Sequence, residues 1–378
     1  MKICILCFDL SNNSLGRAGL LAMALTPKHE VEIIGTSKSG DIWFPLKDID
    51  IPIRSYPWKR YPFFVPTIRK MVKEIDADIM IACKLRPTSF GIALIKKLTS
   101  KIPLIVDIDD WELGFFYHSG FLNTVGRFLN FSNPNGLPYT WLMEHFTSYA
   151  NKIIVSNRFL KNKFSGSLIY HCRDTSVLDP DKFDSDTIKT KLGLKKRKVV
   201  MFLGTPRAHK GINELLLAIE KINDPDVTLA LVGAESSIKI QIRNMKSNQD
   251  KVVVFPKISF KDLPEYLAIA DILVIPQRRT TDTAGQIPAK LFDAMAMGKP
   301  IITTPISDIP EVLGENGYLI EPENPEQLIK AIEYIFSHPE EAILKGKKAR
   351  QRCKELYNLK VMEKELNFQI ESLVTSHS

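Results

Sequence analysis

Residues 282–304 hold the residue types most able to do chemistry. Thr283, Ala284, Gly285 and Gln286 form a polar loop that predicts a helix start at Ile287 to Lys290; Gly298 closes the helix and a buried strand follows over 301–303. Unpaired amides at a helix start attract an anion. Asp293 falls about two turns further in. The segment can therefore hold a diphosphate at one end and a diol at the other, which is the outline of a nucleotide-sugar pocket. A second cluster, Asp107, Asp109, Asp110 and Glu112, puts four acids in six positions directly after the apolar run 103–106. Like charges so close are costly, so the expected setting is a solvated, functional cleft. Asp109 and Asp110 read as sugar- or acceptor-positioning groups, one of them a candidate base, with capping of the next helix as the alternative.

The elements that must position these groups alternate along the chain. In the first half, apolar runs at 2–8, 31–35, 78–83, 103–107 and 152–155 are separated by amphipathic stretches at 16–25, 67–74, 89–98 and 140–149. The second half repeats the plan, with strand-like runs at 199–204, 228–233, 252–255, 272–275 and 301–303 and helical ones at 212–222, 238–245, 263–268 and 290–297. Short runs rich in isoleucine and valine between amphipathic segments predict parallel strands with crossover helices, and hence an α/β chain of two doubly wound domains. Such sheets bind ligands beyond the carboxyl ends of their strands, here the loops 204–211, 233–235, 256–259 and 276–286.

A length of 378 residues suits two domains. At 44% hydrophobic and 25% charged residues the chain reads as an ordinary globular protein. No apolar run approaches the ~18–20 residues of a membrane span, and the run 1–8 meets Asp9 too early for a secretory signal, so the expected location is cytoplasmic. Cys4, Cys7, Cys83, Cys172 and Cys353 are odd in number and scattered, which suggests reduced thiols; Cys4 and Cys7 lie within one strand rather than at a helix start. The net charge of +8 favours an anionic partner, phosphate groups or an acidic membrane surface. Its dispersed basic residues carry no nucleic-acid signature.

Residues 288–300 (Pro-Ala-Lys-Leu-Phe-Asp-Ala-Met-Ala-Met-Gly-Lys-Pro) resemble the donor-site signature of retaining glycosyltransferases of family 4, which have the two-domain GT-B fold. Residues 202–211 (Phe-Leu-Gly-Thr-Pro-Arg-Ala-His-Lys-Gly), 307–312 (Ser-Asp-Ile-Pro-Glu-Val) and 316–320 (Asn-Gly-Tyr-Leu-Ile) fit the same family in order and distance. The resemblance implies two Rossmann-like domains facing a central cleft. Residues 1–175 would bind the acceptor and 195–358 the donor; residues 359–373, with Val361, Leu366, Phe368, Ile370 and Leu373, would form a helix crossing back so that 359–378 pack on the first domain. Polar residues 173–197, ending in Lys195, Lys196 and Arg197, are the expected linker.

The resemblance also implies roles. Lys210 is placed to meet the donor diphosphate and to stabilise the leaving group. Thr205 stands where the family often has an arginine, and Arg207 is the candidate second cation. The family pairs two acids eight positions apart; Asp293 matches the second, a ribose-binding carboxylate, whereas Gly285 occupies the first. Amides of Ala284, Gly285, Gln286 and Ile287, together with Thr283, Lys257, Arg278, Lys290 and Gly16, complete the expected donor-binding set. The loop at 107–112 lacks the histidine common in related enzymes, and a retaining transfer can use the leaving phosphate oxygen as proton acceptor. Asp107-Ile108-Asp109 matches the Asp-x-Asp metal motif of the other major transferase fold, but lysine and amides are expected to serve the diphosphate without metal or other cofactor.

The implied reaction moves a sugar from a nucleoside diphosphate, UDP before GDP, to a hydroxyl of a glycan or lipid-linked acceptor, with domain closure assembling the site. A sugar-nucleotide epimerase and a non-catalytic nucleotide-sugar-binding subunit are the rival readings. Aromatic stretches 56–64 and 114–131, the first carrying Lys59 and Arg60, suit a peripheral contact with the inner face of an anionic membrane, an acceptor flap, or plain core.

Overall fold

The computed structural model describes residues 1–117, 121–234, 238–245, 247 and 249–375. Two compact units emerge. The first comprises Met1–His171, Ala284–Ile287 and Leu359–Ser378, and the second Cys172–Thr283 and Pro288–Asn358.

The first unit is built on β1 (Lys2–Cys7), β2 (Glu30–Ser37), β3 (Ile53–Pro57), β4 (Ile79–Cys83), β5 (Leu104–Ile108), β6 (Lys152–Val155) and β7 (Ser167–Leu168). They form one parallel sheet in the order β3-β2-β1-β4-β5-β6-β7. β4 and β5 are buried at every position, because a parallel strand under crossover helices has no polar face to show to water. Each fully buried Ile or Leu of these strands contributes about 1.5–3 kcal/mol.

The second unit repeats the plan with β8 (Lys198–Leu203), β9 (Val227–Val232), β10 (Val252–Phe255), β11 (Ile272–Ile275), β12 (Ile301–Thr303) and β13 (Tyr318–Leu319), all parallel and ordered β10-β9-β8-β11-β12-β13. Its core runs from Val200, Phe202, Leu229 and Val274 to Leu215 and Ile219 of the helix Ile212–Lys221 and to Leu328 and Ile332 of the helix Pro325–Ser337. Both sheets reverse strand order once, between β1 and β4 and between β8 and β11. Open parallel sheets bind ligands beyond the carboxyl ends of their strands at such a reversal.

The final helix, Leu359–Thr375, belongs to the first unit. It packs on the helix Ser14–Leu25, and His29 Nε2 lies 2.7 Å from Asn367 Oδ1. Met362, Leu366, Ile370 and Leu373 form its buried stripe, whereas Phe368, expected on that face, is 63% exposed. Its position relative to Leu366 puts it about 200° around the helix, on the outer side.

The sequence analysis placed a linker at 173–197, but residues from Cys172 onward are part of the second unit. They include the helix Ser185–Lys191, capped by the Asp184 carboxylate, and they are tied in by Lys189–Asp271 at 2.7 Å and Arg350–Asp179 at 2.8 Å. Their polarity reflects ion pairing rather than freedom. All five cysteines are buried and reduced, and burial pushes the Cys7 thiol up to about 12.

Candidate functional site

In the second unit the backbone leaves β8 through Gly204 and a short turn, Ala208–Lys210, into Gly211. Gly211 has φ 66°, and a Cβ there would meet the Pro276 carbonyl oxygen at 1.8 Å, so the loops after β8 and β11 are in contact. Arg278 N donates to His209 O across the same junction at 2.8 Å. Lys210 Nζ donates to Thr205 O at 2.9 Å. From the helix Ala289–Ala296, Lys290 Nζ donates to Leu203 O at 3.0 Å and lies 4.2 Å from the centre of the Phe202 ring. Two lysines distant in sequence thus reach the carboxyl end of β8.

The electrostatics there are cationic. Burial, then the charge of Lys210, pushes the Lys290 ammonium well below the ordinary lysine range, against the pull of Asp293. Burial likewise takes His209 down to about 4; Asp282 opposes this, while Lys210, Arg207 and Lys290 add to it. Neighbouring carboxylates have other partners. Arg173 Nε binds Asp293 Oδ1, and Asp282 Oδ1 accepts from Thr280 Oγ1 at 2.6 Å. Cations crowded together favour an anionic neighbour.

Among the other expected donor residues, Asp293, Arg278 and Thr283 hold protein partners. Asp293, expected to bind ribose hydroxyls, is buried and ion-paired with Arg173, a residue the sequence reading left in the linker. Arg278 is expected at phosphate, but its guanidinium binds Glu214 and lies 3.5 Å from Glu323, so its charge braces the loop. Thr283 is buried and donates to Arg278 O at 2.8 Å, a further brace. Lys257 is exposed after edge strand β10, two strands away from β8. Arg207 is exposed beside His209 and Lys210. Of the loop 233–235, Glu235 lies outside the described residues.

In the first unit the acids at the end of β5 are paired with buried cations. Arg17 donates to both oxygens of Asp107, at 2.8 Å from Nη2 to Oδ1, and also to Ile169 O and Tyr170 O. Lys84, at the end of β4 with φ 70°, lies 2.9 Å from Asp109 and 3.1 Å from Glu112 and also binds Asp110. Arg86 binds Glu112 and donates to Asn135 O and Thr140 Oγ1, each at 2.9 Å. The expectation of a solvated cleft for this cluster is therefore wrong: Asp107 is 0% exposed, Asp109 7% and Glu112 5%. Burial opposes the charge of Lys84, but Asp109, Asp110 and Glu112 outweigh it and push the ammonium well above the ordinary range. Asp109 goes the other way, to about 7: burial raises its carboxyl, Lys84 opposes, and Asp110 and Asp107 add repulsion.

Part of the loop expected to bind donor sits in this unit. Gln286 Nε2 donates to Asp110 Oδ1 at 2.9 Å, Asn157 Nδ2 donates to Gly285 O at 3.1 Å, and Ile287 is buried. A Cβ on Gly285 would meet Trp111 Cβ at 2.6 Å and the Phe159 ring at 3.2 Å. The position where the resemblance implies an acid therefore has no room for a side chain in this arrangement. Gly285→Glu is expected to lower the thermal midpoint and perturb Trp111 fluorescence without adding a sugar contact; a variant as stable as the parent would show the packing to be yielding.

Gly16 stands in the first turn of the helix that follows β1. It lies inside the helix Ser14–Leu25, started by Ser14 N donating to Asn12 Oδ1 at 2.9 Å, and its own amide donates to Asn13 O. The structure thus brings together Arg207, Lys210 and Lys290 in one unit, and Asp109, Asp110 and Gln286 in the other. Sequence reasoning missed Arg17, Lys84, Arg86 and Arg173. Lys84 and Arg86 had a signal: they follow an apolar strand as the acids follow theirs, and the pairing of Cys83 with Asp107 sets the two ends side by side.

Residues 197–338 match the family model described as Glycosyl transferases group 1. Spore coat protein SA of Bacillus subtilis (strain 168) is 28% identical over 181 residues, 44% of this chain and 47% of that protein, so the chain spans about half the length of that relative. An uncharacterized glycosyltransferase of Haemophilus influenzae is 23% identical over 337 residues, covering 84% and 86% of the two chains. Among solved structures, sucrose-phosphate synthase from Thermosynechococcus elongatus covers 100% of both chains with a TM-score of 0.77 at 15% identity. HepE of Anabaena, solved with UDP-glucose, gives 0.78 at 16% identity over 98% of this chain and 100% of its own. The fold is GT-B. Over residues 197–338 the chain resembles group 1 glycosyltransferases.

Proposed function

We propose that the chain is a retaining hexosyltransferase that takes a sugar from a nucleoside diphosphate, UDP before GDP, to a hydroxyl of a glycan or lipid-linked acceptor. The observation that carries this reading is the convergence of Lys210, Lys290 and Arg207 on the carboxyl end of β8, where a departing diphosphate gains charge. The similarity to HepE, which was solved with UDP-glucose, supports uridine. Asp110, held by Lys84 and Gln286, is the better acceptor-positioning group of the acidic pair, and Asp109, with a carboxyl near 7, the better candidate base.

One observation favours a second reading, a non-catalytic nucleotide-sugar-binding subunit: Gly285 has neither an acid nor space for one. Thermal stability against UDP, GDP, TDP and their glucose conjugates tests the site, because a ligand bound only by the folded state raises the midpoint by mass action. A shift with one nucleotide and its conjugate supports the assignment, and hydrolysis of that conjugate then separates the enzyme from the binding subunit. No shift with any of them removes the donor site.

The proposal includes metal independence. Among the described residues no cluster of three or more His, Cys, Asp or Glu is placed to hold an ion, and Asp107 of the Asp-x-Asp is bound by Arg17. Donor hydrolysis in excess chelator is expected to proceed at the untreated rate, and its abolition, restored by Mg²⁺ or Mn²⁺, would overturn this. No helix among the described residues is long and apolar enough to cross a membrane. Peripheral contact at an anionic inner leaflet belongs to the proposal. Its support is that Phe63, Phe128, Leu129 and Phe131 are exposed in the first unit, although Tyr56 and Phe64 of the same aromatic stretches are core. Residues 118–120 of the second stretch lie outside the described residues.

A further inference from the structure

We infer that Arg173 is a positioning residue of the donor site: its guanidinium fixes one oxygen of the Asp293 carboxylate and leaves the other for the hydroxyls of the nucleotide's ribose. The inference rests on the donor-site reading above, in which the phosphates meet Lys210 and Lys290, and concerns a residue from outside the donor loop.

The pair lies within the second unit and is built rigidly. Arg173 Nε binds Asp293 Oδ1, Nη1 donates to Cys172 O at 2.6 Å, and Nη2 donates to Ala289 O at 3.1 Å. Each guanidinium nitrogen therefore has an acceptor, and two of the three acceptors belong to the helix Ala289–Ala296. The backbone of Arg173 is pinned as well. Its amide donates to Tyr357 O at 2.9 Å, and it forms a parallel bridge with Asn358. The Tyr357 ring in turn packs edge-on against Phe292, the chain neighbour of Asp293, with centroids 5.3 Å apart. A planar fork held in this way fixes the direction of a carboxylate better than a flexible ammonium would.

Only half of the carboxylate is used. Asp293 Oδ1 takes the guanidinium, and among the described residues Oδ2 accepts no hydrogen bond. The side chain is 6% exposed, and this second oxygen is not sealed from solvent. An ionised carboxylate offers acceptor sites on both oxygens, so the ion pair alone leaves Oδ2 with capacity for a donor. Its place suits a diol. Asp293 follows Lys290 by three residues, about 4.5 Å along the helix and on the same face. Lys290 Nζ reaches Leu203 O at the carboxyl end of β8, and Lys210 Nζ binds Thr205 O just beyond it. A nucleotide with its phosphates on those cations would have its ribose about one helical turn away, where Oδ2 can accept from the hydroxyls.

Calorimetric titration of the full chain with UDP, GDP, the 2′,3′-dideoxy form of each, and inorganic pyrophosphate tests this. The parent is expected to bind one ribonucleotide roughly tenfold or more tightly than its dideoxy form, the scale of hydrogen bonds to a charged group. In Arg173→Met that preference should fall to about twofold, while pyrophosphate binds as it does to the parent. Equal loss of nucleotide and pyrophosphate affinity would reduce Arg173 to a structural brace and overturn the inference. A parental preference retained in folded Arg173→Met would overturn it too. Should that variant fail to fold, Arg173→Lys decides. It keeps the charge but cannot hold Asp293 and Ala289 O with one fork, so the preference should drop severalfold, and an undiminished preference would count against the inference. A parent that binds a ribonucleotide and its dideoxy form equally well would overturn the inference and leave the phosphate site standing. No binding of any of these ligands to the parent would take down the donor-site reading and this inference together.

Discussion

Lys84→Met is expected to cost the first unit about 3–5 kcal/mol at about pH 8, because removing one partner of a buried charge network leaves the others uncompensated. Lys84 is the common partner of Asp109, Asp110 and Glu112, and Glu112 keeps a second cation, Arg86. The deficit should shrink on acidification. Asp109 is already raised to about 7 by burial, and without the ammonium it rises further. An acid whose folded value exceeds its unfolded one binds more protons in the native state, so its charging lowers stability as pH climbs from about 4 through the folded value. The variant should therefore approach the parent toward about pH 5 and fall away from it above neutrality.

Denaturant unfolding followed by tryptophan fluorescence reads this unit alone: the chain's 4 tryptophans are Trp43, Trp58, Trp111 and Trp141. A loss below about 1 kcal/mol, the size of an exposed ion pair, or a deficit independent of pH, would show that these acids do not depend on Lys84. Lys84→Arg keeps the charge and should recover part of the loss.

Lys210→Ala is expected to act on chemistry rather than folding. A preorganised donor aimed at developing charge is worth roughly 10²–10³ in rate, and Lys210 is the family-matched cation at the end of β8. Donor hydrolysis or transfer should fall by about that factor. The dissociation constant for UDP should rise, and the ligand-free thermal midpoint should stay near that of the parent, because the side chain is partly exposed and its bond to Thr205 O lies within its own loop. A folded Lys210→Ala chain with unchanged UDP affinity would remove the residue from the site.

Architecture was readable because alternating short apolar and amphipathic runs are a local property. The strands at 79–83, 152–155 and 272–275 follow directly from their short apolar runs, Ile-Met-Ile-Ala-Cys, Ile-Ile-Val after Lys152, and Ile-Leu-Val-Ile. β3, β7 and β13 were missed: they are sheet edges of two to five residues, too short or too polar to form a run. The loop–helix junction at 284–290 and Lys210 were legible from residue order, since a helix start and a lysine before glycine are contiguous signals. The partners of the acids were not, because Arg17 and Asp107 are 90 residues apart and Arg173 and Asp293 are 120 apart.

The sequence by itself therefore determined the two-sheet α/β plan, the carboxyl-end loops that carry the candidate site and the family resemblance of its second half, all of which rest on short-range pattern. Only the tertiary structure decided which charges are spent. It paired Asp293 with Arg173 and Arg278 with Glu214, buried Asp107, Asp109 and Glu112 at the end of β5 against Arg17, Lys84 and Arg86, and closed position 285 against Trp111. Whether a charged group serves a ligand depends on what stands within a few ångströms of it. Parallel-sheet topology sets those neighbours by bringing distant strand ends side by side.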